Sequence, residues 1–172
     1  MVNGKASPRL TVQPRKYRFR ILNGSNARVY MLRLSDHSEF LQIGKDSYLL
    51  PSAFGLDEVM MMSGERADII VDFSKYTEGE EIYLENWMEQ TDGRGPDGVG
   101  RKAQQQLIKF VVEGSAQGNI SVADGTKLRP HVGVLASGVP IAGKFEWKTD
   151  RKNGAWTING ELFNPLRSDV EP

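Results

Sequence analysis

From residue 16 the side chains alternate, with Lys16, Arg18 and Arg20 charged and Tyr17, Phe19 and Ile21 apolar. That period of two belongs to a strand with one face buried and the other in water. A lone ribbon of this kind is marginal, so its apolar face must pack on a second layer. Asn23-Gly24-Ser25-Asn26 supplies turn chemistry, and Arg28 to Leu34 reads as a strand returning beside the first in an opening hairpin. Val2-Asn3-Gly4-Lys5 reads as a turn. Further short strands are predicted at Arg9 to Val12, where Pro14 stops the run, and at Phe40 to Ile43, Val59 to Met62, Ala67 to Phe73, Glu81 to Asn86 and Leu107 to Val112. In the Glu81 strand, Ile82 and Leu84 share one face, and Tyr83 and Glu85 the other. Trp87 to Arg101 is a long polar loop holding four glycines and a proline. No segment keeps a helical period over about ten residues. Short strands separated by Gly and Pro turns predict an all-β sandwich.

The pattern changes after Val112. Gly114 to Gly143 is rich in Gly, Ser, Pro and Ala with weak periodicity, and reads as a connector. Lys144 to Leu162 returns to strand pattern. Asn153-Gly154 is the preferred pair for a two-residue type I′ turn, which sets Arg151 opposite Trp156 and Thr149 opposite Ile158. Continued outward, the register sets Trp147 opposite Gly160 and Phe145 opposite Leu162. Phe145, Trp147, Trp156, Ile158 and Leu162 then share one face, while Lys144, Glu146, Lys148 and Asp150 take the other. Such an aromatic face is an aggregation liability in water, so it is expected to bury against the sandwich or against a second copy of the chain. The organisation read from the pattern is a domain over 1–114, a connector over 115–143 and a hairpin over 144–172.

Length and charge narrow the classes. The 172 residues suit one domain, or one domain plus a further piece. Lys plus Arg equals Asp plus Glu, and the zero net charge argues against a nucleic-acid or anionic-membrane surface. No run approaches the roughly 18 apolar residues of a membrane span, and no signal peptide is read at the start. The chain has no cysteine. Disulfides, thiolate nucleophiles, iron–sulfur clusters and blue-copper sites are therefore excluded within it.

The remaining chemistry is thin. His37 follows Asp36 in a turn and His131 follows Pro130 in the connector, each without a nearby Cys or second His, so both read as loop residues rather than ligands. Met60-Met61-Met62 resembles a soft ligand set, but on a strand Met61 must face away from its neighbours, so packing is the better reading. Gly93 to Gly98 matches G-x-G-x-x-G, yet Pro96 and all-β surroundings deny it the strand–helix context of a dinucleotide site. Glu65, Arg66 and Asp68 read as an arginine fork holding a turn rather than as a catalytic acid with a partner. Arg66 and Asp68 are expected to be partly buried. No nucleophile motif supports a hydrolase. The glycosylation sequons at Asn23 and Asn119 read as chance matches.

Val2-Asn3-Gly4-Lys5, Arg15 to Asn23 and Gly64 to Phe73, in this order, resemble the middle domain of three-domain bacterial multicopper oxidases. The likeness is to the branch of spore-coat laccase, bilirubin oxidase and phenoxazinone synthase, and it covers Val2 to Val112. It narrows the expected fold to a Greek-key cupredoxin-like sandwich or barrel. Arg18, Arg20, Asn23, Glu65, Arg66 and Asp68 become structural motif residues, and Ser47, Tyr48, Leu49 and Trp87 become candidates for a substrate-cleft wall. Ser47-Tyr48 departs from the glycine-rich loop usual there. The resemblance implies copper in the parent enzyme, bound by flanking cupredoxin domains, with no copper and no catalytic residue in this chain. The parent would oxidise phenolic, tetrapyrrole or metal-ion substrates and reduce dioxygen to water, exported, periplasmic or in a spore coat. The hairpin would open the third domain, with self-association through its exposed face a further expectation. The alternative reading is a stand-alone β-sandwich binding or adhesion module, with Trp87, Tyr83 and Tyr48 as an aromatic platform.

Overall fold

The computed structural model describes residues 1–93, 95–99, 105–115, 118, 121–130, 140, 143–162 and 164–166. Among them every regular element is a strand. In chain order these are β1 (Arg9–Val12), β2 (Lys16–Leu22), β3 (Tyr30–Leu34), β4 (Phe40–Lys45), β5 (Tyr48–Leu56), β6 (Glu58–Met61) and β7 (Arg66–Asp72). Then follow β8 (Glu81–Asn86), β9 (Met88–Glu89), β10 (Gly98–Val99), β11 (Gln105–Val112), β12 (Thr149–Lys152) and β13 (Ala155–Ile158). The chain divides into two compact units, Met1–His131 and Val132–Pro172.

The first unit is a sandwich. One sheet runs β1-β11-β8-β3-β6 and the other β2-β7-β4-β5. All their described pairings are antiparallel except β1 with β11. Both sheets send apolar side chains into one core, with Leu34, Met61, Phe110 and Val112 from the first and Phe40, Ile69 and Val71 from the second, joined by Phe73. Phe73 and Phe110 lie with ring centroids 5.1 Å apart, and Phe19 meets Phe110 at 5.4 Å. These are ordinary separations for paired aromatic rings. β7 is buried on both sides, with Ile69 and Val71 in the main core and Ile70 in a second cluster with Ile43 and Ala53. This explains its nearly unbroken apolar sequence.

Strand existence follows the alternation closely, but one pairing does not. β2 and β3 lie in different sheets rather than in an opening hairpin. β2 pairs along its whole length with β7, from Lys16 opposite Asp72 to Leu22 opposite Arg66. Asn23 to Asn26 thus carries the chain across the sandwich. β5 was not expected at all, since Pro51 and Gly55 break its pattern. It lies at a sheet edge, where proline is tolerated because no ladder donor is missed. Residues 121–130, read as connector, are packed on the sheet, because Val122 and Leu128 give them two apolar anchors on Ile43, Ala53 and Ile70. On β6 and just beyond, Met61 points inward while Met60 and Met62 are half-exposed, the alternation that a strand imposes.

In the second unit the hairpin forms in the expected register, with Arg151 opposite Trp156 and Thr149 opposite Ile158. Asn153 and Gly154 have φ of 51° and 83°, the left-handed values a type I′ turn requires. Two details differ. Asn159 and Gly160, also at positive φ, make a second tight turn closed by Ile158 and Glu161, so the ladder does not continue to Phe145 and Leu162. The second concerns the aromatic face, which the hairpin's own described residues leave uncovered, with Trp147 59% and Trp156 72% exposed.

Candidate functional site

The motif residues of β2 and β7 assemble into one lock. Arg20 lies directly opposite Asp68, and Arg18 reaches diagonally to the same carboxylate. The Arg18 guanidinium grips Asp68 with two nitrogens, Nε donating to Oδ1 at 2.8 Å and a terminal nitrogen donating to Oδ2. That hydrogen-bonded carboxylate raises the pKa of Arg18 further above its ordinary value, against a smaller opposing effect of burial. Beside Asp68, β4 bulges at Ile43, and Gly44 then pairs with Asp68. A Cβ on Gly44 would stand 3.0 Å from the Asp68 Cβ and 3.1 Å from the Tyr48 carbonyl, tighter than most Cβ contacts, so the neighbouring strands would have to give way. Glycine here lets β4, β5 and β7 close up.

Asn23 ties the two sheets. Its side chain is buried, and Nδ2 donates to the carbonyls of Arg28 at 2.7 Å and Met61 at 3.0 Å. Its Oδ1 accepts from the Ser25 amide at 3.1 Å, and its main chain exchanges bonds with Gly64 and Glu65. Glu65 closes the 62–65 turn by accepting from the Met62 amide at 2.8 Å, and Lys45 lies 3.3 Å away. Arg66 donates to the Gly64 carbonyl at 3.0 Å and to Ser47 Oγ at 3.1 Å. Its side chain is 47% exposed, so the expected partial burial is weaker than the motif implied. The buried amide of Asn23, already bonded twice, is not available as a glycosylation acceptor. Six motif residues therefore lie near one another on β2, β7 and the turns beside them, and the side chains of all but Arg20 make the bonds given above.

A second polar cluster lies on the outer face of the five-stranded sheet, and sequence reasoning missed most of it. Trp87 is only 5% exposed, and its indole N–H donates to Glu85 Oε2 at 3.1 Å. The Arg33 guanidinium lies over the Trp87 ring at 5.2 Å and also bonds Asp57 at 2.7 Å, while the His37 ring meets the indole edge-on at 5.1 Å. Val29, Met31, Trp87 and Met88 form a satellite cluster that covers this face, which is why Glu85 is 1% exposed although alternation placed it outward. Asn86, also fully buried, accepts from the amides of Met31 and Met88 at 3.0 and 3.1 Å. Trp87 is thus enclosed, whereas Tyr48 is exposed on a different sheet.

His37 stands at positive φ in a turn that also presents Asp36. The Tyr76 hydroxyl donates to Asp36 at 2.7 Å, and Ser38 donates through its amide and hydroxyl at 3.1 and 2.8 Å. Burial alone would raise the Asp36 pKa, but these hydrogen bonds outweigh it and leave the carboxyl below its usual range. The Tyr76 hydroxyl is pushed well above its usual range, first by burial and then by the Asp36 bond. Such a phenol stays protonated and acts as a donor.

The other candidates are surface features. Tyr48 and Leu49 lie exposed where β5 begins, and Ser47 precedes them. In the second unit, Phe145, Trp147, Trp156, Ile158 and Leu162 line an open groove of about 700 Å³ together with Thr149, Asn159 and Glu161. The G-x-G-x-x-G stretch meets a strand pair, β9 with β10, rather than a helix. His131 and Asn119 lie outside the described residues.

No family model matches the chain. A laccase of Bacillus subtilis (strain 168) is 51% identical over 112 residues, which make up 65% of this chain and 21% of that protein. Among solved structures, the laccase from Pediococcus acidilactici Pa5930 superposes with a TM-score of 0.67 at 31% identity, covering 94% of this chain and 31% of that one. The chain is a relative of the multicopper oxidases. A 2F4 variant of the McoA multicopper oxidase from the hyperthermophile Aquifex aeolicus gives a TM-score of 0.69 at 27% identity, covering 90% of this chain and 33% of that one. The sandwich is thus all-β and cupredoxin-like, as the sequence motifs implied. The chain spans about a fifth of the length of the curated relatives and about a third of the solved structures.

The residues present do not fit a copper centre of the kind such oxidases are named for. The chain has no thiolate and two histidines, and no three His, Cys, Asp or Glu side chains converge among the described residues. His37 is already packed against Trp87.

Proposed function

We propose that this chain is the middle, copper-free cupredoxin-like domain of a multicopper oxidase, followed by the opening strands of the third domain. The observation that carries the reading is the 51% identity to a laccase in a chain with no cysteine and two histidines. The complete enzyme oxidises phenolic, tetrapyrrole or metal-ion substrates and reduces dioxygen to water, with its copper held by the flanking cupredoxin domains. Its compartment is the periplasm, the cell exterior or a spore coat.

In that enzyme the sandwich is a spacer that fixes the orientation of its neighbours. The Arg18–Asp68 fork, Asn23 and the Glu65–Arg66 turn stiffen it at one edge, which suits a part that must hold others in register. Tyr48 and Leu49, exposed beside Ser47, contribute to the wall of the substrate cleft. The apolar face of the hairpin belongs to the core of the third domain. Reading the gene on both sides of this segment tests the proposal. His-X-His pairs upstream and a His-Cys-His run downstream are expected, whereas a reading frame ending at these residues would favour the stand-alone module.

A further inference from the structure

Residues 121–130 cross the outer face of the four-stranded sheet and then run along its β5 edge. At one end Lys16, on the opposite edge strand, donates from Nζ to the Val122 carbonyl at 2.7 Å. Val122 and Leu128 rest on the patch formed by Ile43, Ala53 and Ile70.

The reason for this course lies in β5 itself. Gln42 of β4 faces Phe54 and Gly44 faces Leu49, so β5 passes through residues 50–53 while β4 passes only Ile43. The segment bulges from its neighbour, and its main chain bonds residues 121–130 instead. Ala53 donates to the Thr126 carbonyl, Gly125 donates to the Ala53 carbonyl and Leu128 donates to the Pro51 carbonyl, each at 2.9 Å. The Gly55 amide donates to Asp124 Oδ1 at 2.9 Å, and Arg129 Nε donates to the Leu49 carbonyl at 2.6 Å. The segment joins the sheet edge through one antiparallel bridge, Ser52 with Lys127, in the manner of strand addition, where main-chain bonds give affinity and spaced side-chain pockets give register. It also satisfies an edge that would otherwise invite pairing with another chain.

The segment is laid on rather than woven in. Of its residues only Val122, Thr126, Leu128 and Arg129 are partly buried, and the rest are exposed. Segments with few buried apolar side chains open locally before the domain unfolds. The acceptor surface beneath is built from strands held independently in the sandwich.

We infer that the β5 bulge and the Ile43–Ala53–Ile70 patch form a strand-acceptor site, closed in cis by residues 121–130 and able to take the same segment from a second copy of the chain. An exchange of identical elements needs no new complementarity, which makes it the least costly route to association. The cis segment wins at ordinary concentration because its tether gives it a high effective concentration.

The test uses the full-length chain carrying V122D and L128D, which weakens the cis segment and leaves the acceptor strands intact. A synthetic peptide of residues 121–130 is titrated into nitrogen-labelled protein, following the amide signals of Ala53 and Gly55. Saturable binding is expected, at least about ten-fold tighter than to the unaltered chain, and lost when the peptide itself carries Leu128→Asp. Should the double variant lose cooperative melting, D124A with L128A carries the same titration. No saturable binding to a folded variant, binding as tight to the unaltered chain, or binding indifferent to Leu128→Asp in the peptide would each overturn the site.

Discussion

The sandwich and the hairpin are written in the same alternating code, yet they end differently. In the sandwich, Phe19, Ile69 and Phe110 find partners across two sheets, and the core includes residues that are almost wholly enclosed. In the hairpin, Phe145, Trp147, Trp156, Ile158 and Leu162 are all more than half exposed, although around the turn, from Thr149 to Ile158, the strand register is the one that the pattern dictates. Alternation and turn chemistry fix a strand and its register locally, but burial requires a second layer. The sandwich holds both of its layers. The hairpin by itself is one layer, and under the proposed function the third domain would supply the other.

Substitutions put that contrast to the test. The largest difference is expected between Phe110→Ala and Trp156→Ala. Phe110 is fully buried, and its loss should destabilise the sandwich by about 3–5 kcal/mol. Loss of exposed Trp156 should leave sandwich stability within about 0.5 kcal/mol of the parent. Urea denaturation followed by circular dichroism measures both, and similar costs would mean that the hairpin face is already packed. A middle-sized effect is expected at Asn23. Asn23→Ala removes a donor from the Met61 carbonyl in a buried bond and from the Arg28 carbonyl, which keeps the Ser25 hydroxyl, at a cost of about 1–3 kcal/mol. The smallest effect is expected at Arg66, whose half-exposed side chain bonds only turn groups. Arg66→Ala should cost about 1 kcal/mol or less. If Arg66→Ala matched Asn23→Ala, the lock would centre on the arginine rather than on the asparagine crossing.

The elements that were legible in the sequence share one property: their determinants lie within a few residues. β1 and β8 have the bounds that alternation predicts, and the Asn153-Gly154 turn sets its register unaided. What was illegible depends on residues far away. β2 and β3 read as a hairpin because Asn23-Gly24 is turn chemistry, but Asn23 is bound to Met61, and β2 is matched to β7 fifty residues on. β5 hid behind Pro51 and Gly55, which are tolerable only at an edge completed by residues 121–130. Trp87 and Glu85 read as surface because the alternation of β8 is local, whereas the cover from Val29, Met31 and Met88 is not. The motif residues of β2 and β7 read as structural in the sequence, and in the structure the Asp68 and Glu65 carboxylates and the Asn23 amide each bond a neighbouring strand or turn.

The central claim is that this segment positions copper-bearing domains without holding copper itself, and metal analysis tests it most directly. The purified 172-residue chain is incubated with copper, dialysed, and assayed for bound metal and for oxidation of a simple phenol, with circular dichroism confirming the folded sandwich. The account predicts copper far below one ion per chain and no oxidase activity. Copper retained near one ion per folded chain, or phenol oxidation that follows its copper content, would contradict it.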